Sequence, residues 1–161
     1  MRFHTRLRTP LLAGLLLVAA AGPAAAQNPW DFGVRGGVYT DDSDPFVGVE
    51  LLTRLGSTPW FFNPNVEVVF PDNGDLITVN GDFHYDLPVE SNVYVWLGGG
   101  PAIVFSDHDR GPNADDSETD VGLNLLAGVG FLKGQAVRPY VQGKVLISDE
   151  SEAVLAFGVR F

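Results

Sequence analysis

The sequence predicts an all-β chain, an eight-stranded antiparallel up-and-down transmembrane β-barrel after a cleaved signal peptide. Three observations carry this. Apolar residues recur at every second position in eight segments, and the connections between them alternate between tight turns and acidic loops. Most segments also have about the 9–11 residues that a tilted strand needs to cross a bilayer. An even number of strands of matched length can close without leaving an unpaired edge.

The chain opens on the three-part pattern of an export signal. Arg2, Arg6 and Arg8 form the basic start, residues 11–21 an apolar run, and Ala24, Ala25 and Ala26 an A-x-A cleavage site. So short a run suits secretion rather than a spanning helix. Residues 1–26 are therefore expected to be removed, leaving 27–161 as one barrel domain. With no Cys in the chain, disulfides and thiol chemistry are excluded.

The segments follow in order. In 30–40, Phe32, Val34 and Val38 alternate with Asp31, Arg35 and Tyr39. In 46–55, Val47, Val49 and Leu51 oppose Glu50 and Arg54. In 60–70, Val66, Val68 and Phe70 oppose Asn63, Asn65 and Glu67. Segment 75–87 sets Ile77, Val79, Phe83 and Tyr85 against Thr78, Asn80, Asp82, His84 and Asp86. Segment 92–105 contains Gly98, Gly99 and Gly100, which suit a bend or close strand approach rather than a phosphate loop. Segments 119–132 and 137–147 place Asn124, then Arg138, Tyr140, Gln142 and Lys144, on the polar side. Pro139 stands near the turn that opens its strand, where a missing donor is tolerated. In 153–161, Leu155, Phe157, Val159 and Phe161 alternate with Ala156, Gly158 and Arg160.

Charge separates the two ends. The signal removes Arg2, Arg6 and Arg8 but no acid, so seven bases remain against twenty acids, a formal charge of −13. Fourteen acids lie in or beside the connections 41–45, 71–74, 106–118 and 148–152, where Arg110 is the only base. The other connections, 56–59, 88–91 and 133–136, are tight turns. An ionised group facing hydrocarbon is costly, so the apolar set of each segment is expected to face lipid. That sends Asp31, Arg35, Glu50, Arg54, Glu67, Asp82, Asp86, Arg138, Lys144 and Arg160 inward, five acids and five bases. Such a set forms a neutral network in place of a hydrophobic core, because buried charges persist when paired. Eight strands enclose room for little more than side chains, so the lumen is expected to be plugged. Alternation alone leaves open the opposite facing, a soluble periplasmic barrel with an apolar, ligand-binding interior. Trp30, Phe32, Trp60, Phe62, Tyr85, Phe131 and Phe161 at one rim, with Phe70 and Phe105 at the other, match interfacial girdles and favour the membrane facing.

Four stretches together carry a family resemblance: 30–37, from Trp30 to Gly37; the sixth segment from Val121 through Gly128, Val129, Gly130 and Phe131; Arg138 to Gly143; and the terminal Phe157 to Phe161. In order, spacing and termini the chain resembles the small eight-stranded outer-membrane barrels of the OmpA transmembrane-domain and OmpX type. The resemblance implies residence in the outer membrane of a Gram-negative-type bacterium, contact with lipid and lipopolysaccharide, and an aromatic carboxy terminus read by the assembly machinery. It also implies acidic loops at the cell surface. A monomer without cofactors is expected. Members range from structural anchors and adhesins to small-molecule conduits, so two functions stay open, a structural or surface-interaction barrel and a transport or binding barrel.

Some barrels of this size are lipid A hydrolases or acyltransferases. Ser106, Asp107, His108 and Asp109 supply the residue types for such chemistry, but adjacency does not set a nucleophile, base and orienter in register. No catalytic residue is assigned and no enzyme is expected. His84, between Asp82 and Asp86, reads as a structural lumen residue. Asp107, Asp109, Asp115, Asp116 and Glu118 are candidate oxygen ligands for a divalent cation, without the ordered spacing of a calcium loop. The acidic exterior would repel nucleic acid.

Overall fold

A computed structural model describes residues 30–72, 74–89, 91–109, 115–149 and 151–161. The expected signal peptide and its cleavage site lie outside the described residues. Eight strands follow one another: β1 (Trp30–Tyr39), β2 (Asp44–Arg54), β3 (Trp60–Val69), β4 (Asp75–Asp86), β5 (Tyr94–Asp109), β6 (Asp115–Gly130), β7 (Arg138–Ile147) and β8 (Glu152–Arg160). Each pairs antiparallel with the next, and β1 with β8, from Gly33 opposite Arg160 to Tyr39 opposite Val154, so the sheet closes on itself.

The facing follows from period-2 geometry. Val34, Val47, Leu51, Val66, Val79, Phe83, Ile103 and Leu155 stand exposed on the outer wall, while Arg35, Glu50, Glu67, Asp82 and Arg160 are buried inside. This is the inverse of a soluble barrel with an apolar interior. At the turn end, outward aromatic pairs support each other: Trp60 meets Tyr85 edge-on at 5.2 Å, Phe62 lies 5.0 Å from Phe83, and Phe32 stacks on Phe161 at 6.5 Å.

Two expectations are corrected. The acidic connection expected at 106–118 is mostly strand, because β5 runs to Asp109 and β6 begins at Asp115, with Ser106 opposite Glu118 and Asp109 opposite Asp115. Backbone ladders form without regard to side-chain hydropathy, so hydropathy alternation marks where a strand enters lipid, not where pairing stops.

The lumen is also more than a charge network. At the loop end Tyr39, Phe46, Val69, Ala102, Val104, Leu146, Val154 and Ala156 form a buried apolar cluster. At the turn end Tyr94, Trp96, Leu126 and Tyr140 form a second. The aromatic cluster needs glycine opposite it. Trp96 pairs with Gly128 and Tyr94 with Gly130, and a Cβ added to either glycine would collide with the facing ring.

Candidate functional site

Between the two apolar clusters lies a buried polar layer. Its centre is two carboxylates that each serve more than one cation. Arg160 Nε donates to Glu50 Oε1 at 2.7 Å and Nη2 to Oε2 at 3.3 Å, while Arg35 Nη1 stands 3.8 Å from Glu50 Oε2. Arg35 Nη2 reaches Glu67 Oε1 at 3.1 Å, and Lys144 Nζ donates to Glu67 Oε2 at 2.8 Å. Tyr39 donates its hydroxyl to the same oxygen at 2.6 Å, so one ring of the loop-end cluster is tied to the charges beneath it. A bare carboxylate buried this deeply would cost several kcal/mol, and shared cations with hydrogen bonds offset that cost.

Asp82 is held differently. It accepts from Asn65 Nδ2 and Asn124 Nδ2, each at 2.9 Å, while Asn80 donates to Asn65 and accepts from Asn124. Because β3, β4 and β6 carry these amides on lumen-facing positions, one acid is satisfied without a touching cation. Among the described buried groups, Arg35, Lys144 and Arg160 balance Glu50, Glu67 and Asp82.

The sequence-derived lumen set therefore divides. Arg35, Glu50, Glu67, Lys144 and Arg160 come together, with Asp82 beside them. Arg138 Nη2 and Asp31 Oδ2 pair at 2.6 Å near the turn-end mouth, half in water. Asp86 is half-buried at the end of β4. Arg54 departs from the expected network: its parity is inward, but it sits at the end of β2, is exposed, and donates Nε to the Thr58 carbonyl at 2.8 Å.

Sequence reasoning missed the aromatic surroundings of Arg160. Its guanidinium lies 4.3 Å from the Tyr140 ring and 5.0 Å from the Trp96 ring. Trp96 stacks on His84 at 5.7 Å and on Tyr94 at 5.4 Å, and its indole donates to Gln142 Oε1 at 3.2 Å. The available signal was parity: Tyr94 and Trp96 occupy alternate positions, and Gly130 and Gly128 face them on the next strand. His84 is thus packed against a ring rather than presented to a substrate.

Ser106 is half-buried near the outer end of β5. The side chains of Asp107, His108, Asp109, Asp115 and Asp116 lie outside the described residues, whereas Glu118 is exposed. Among the described residues no group of three or more potential metal ligands is found.

No protein-family model matches the chain, and no curated protein matches it by sequence. Solved structures do match it in shape. The N-terminal β-barrel domain of OprF from Pseudomonas aeruginosa superposes with a TM-score of 0.66 at 14% identity, over 84% of this chain and 97% of that one. Neisserial surface protein A gives 0.63 at 16% identity, over 81% and 92%. The outer membrane enzyme PagL gives 0.51 at 10% identity, over 81% and 98%. At these identities the likeness establishes the fold, and a fold that includes an enzyme leaves catalysis to be argued from the site.

Proposed function

From the eight-stranded fold it shares with these outer-membrane barrels, we propose that the chain is a closed outer-membrane barrel whose role is structural or surface-interacting, with its acidic loop end at the cell surface. One observation supports this reading, an exposed apolar wall around buried, ion-paired side chains and two apolar clusters. An apolar exterior suits hydrocarbon, and a filled interior leaves the ends as the surfaces free to act. The fourteen acids of the loop end concentrate divalent cations by their field, including those that bridge lipopolysaccharide. No catalytic role is assigned to Ser106 or His84, since the described geometry gives neither a base–nucleophile contact.

The test is fractionation with detergent extraction, followed by gel migration with and without heating, and conductance of the purified protein in planar bilayers. The reading requires extraction from the outer membrane, faster migration unheated and no steady conductance. Recovery in the soluble periplasmic fraction or a large steady current would sink it.

A further inference from the structure

The two apolar layers that bracket the polar layer are unequal. At the loop end every strand except β6 contributes, from Tyr39 on β1 to Val154 on β8, with the partly buried Leu76 filling the place on β4. Over β6 the gap is covered by a neighbour: a Cβ added to Gly122 would lie 2.8 Å from Leu146 Cδ1. The loop-end layer is therefore a complete ring. The turn-end cluster comes from β5, β6 and β7, and the other buried apolar side chain toward that end is Leu52 on β2, opposite Asp31. On its open side stands the Arg138–Asp31 pair, whose side chains are 21% and 38% exposed.

The polar layer has its own demand for water. Asn63 Oδ1, Asn124 Oδ1, Gln142 Nε2 and His84 Nε2 are buried without a hydrogen-bond partner in the protein, and water commonly satisfies such atoms. Water entering beside the Arg138–Asp31 pair and past Leu52 would meet charged and amide groups before it reached the apolar ring. There an ion would have to shed its hydration with nothing to replace it, the condition under which hydrophobic constrictions block conduction.

We infer that the loop-end apolar ring, and not the ion-pair layer, seals this barrel against ions, and that the polar layer exchanges water with the turn end only. The inference rests on the closed-barrel reading and names the part that closes it. Phe46, Val104, Leu146 and Val154 are then the residues that set permeability, while Glu50, Glu67 and Arg160 hold the wall together.

The experiment compares three purified proteins in planar bilayers, each first shown to be folded by heat-dependent gel migration. The wild type is expected to be silent. Phe46→Ala with Val104→Ala should raise steady conductance at least about tenfold over background, as loss of a hydrophobic constriction would, and Glu50→Gln with Arg160→Gln should stay at the wild-type level. A silent wild type with a conducting Glu50→Gln/Arg160→Gln protein and a silent ring variant would overturn the inference and leave the closed-barrel reading intact. A conducting wild type would instead remove that reading. If a variant fails to fold, the wild type still decides: NMR in nanodiscs should show water transfer to the side-chain amides of Asn80, Asn124 and Gln142 but not to the methyls of Val104, Leu146 and Val154. Equal transfer to both sets would overturn the inference.

Discussion

Arg160 on β8 reaches Glu50 on β2 across the intervening strand β1, because the residue beneath their contact is Gly33, which is paired with both. A Cβ on Gly33 would lie 2.6 Å from Glu50 Oε1. The ion pair thus spans the β1–β8 seam, the pairing that turns a sheet into a barrel. Glu50→Gln or Arg160→Met alone should destabilise by about 3–5 kcal/mol, since each leaves the other group buried without its partner. The double variant should cost less than the sum of the two. Urea unfolding of the refolded protein measures this, and additive single losses would mean the pair does not act as a unit.

Arg54 and Arg35 share lumen parity but not environment. Arg35 is wholly buried between Glu50 and Glu67, whereas Arg54 is exposed at the turn and bonded to the Thr58 carbonyl. Arg54→Ala should therefore change stability by under about 1 kcal/mol, in the range of surface substitutions. Arg35→Met should be several times worse, because two acids lose a shared cation. Similar losses in the same unfolding assay would place Arg54 in the network after all.

Much of this was legible because period-2 alternation assigns facing directly. The inward set of β1 to β4 from Arg35 to His84, apart from Arg54, and the outward set from Val34 to Phe83 are both as read. Alternation fails where both faces are apolar, as at Phe46 and Val47 or Leu146 and Ile147, so the loop-end ring was invisible. It is also silent on axial depth, which is why Arg54 was placed inside, and on charged strand extensions such as Asp115 to Glu118. Which cation meets which acid depends on register and reach across strands. The bridge over Gly33 follows from the register of β1 with both β2 and β8.

The aromatic cluster makes a steric prediction. Tyr94 lies over Gly130, and a Cβ there would meet the ring. Gly130→Ala should destabilise by about 1–3 kcal/mol through overpacking. Adding Tyr94→Ala should relieve part of that loss, giving a coupling of about 0.5 kcal/mol or more. If Gly130→Ala is harmless, or costs as much in the Tyr94→Ala background as in the wild type, the ring is not what forbids a side chain at Gly130.

The acidic end makes the last prediction. Fourteen acids lie in or beside the loop-end connections with Arg110 as the only base, and the β5–β6 register brings Asp109 opposite Asp115. Like charges so close favour counter-ions by their summed field, without requiring a formed coordination site. Ca²⁺ should then bind weakly, and its affinity should fall steeply with added salt, since exposed charges are screened over about 8–10 Å at moderate ionic strength. Changing Asp107, Asp109, Asp115 and Asp116 together to Asn removes four charges at nearly constant volume and should weaken binding, while leaving thermal stability within about 1 kcal/mol of wild type because these positions lie beyond the lumen. Calcium titration of both proteins at low and high salt separates the outcomes. Tight, salt-insensitive binding would point to an organised site in place of a diffuse field, and identical titrations would take cation binding at this hairpin off the list of functions.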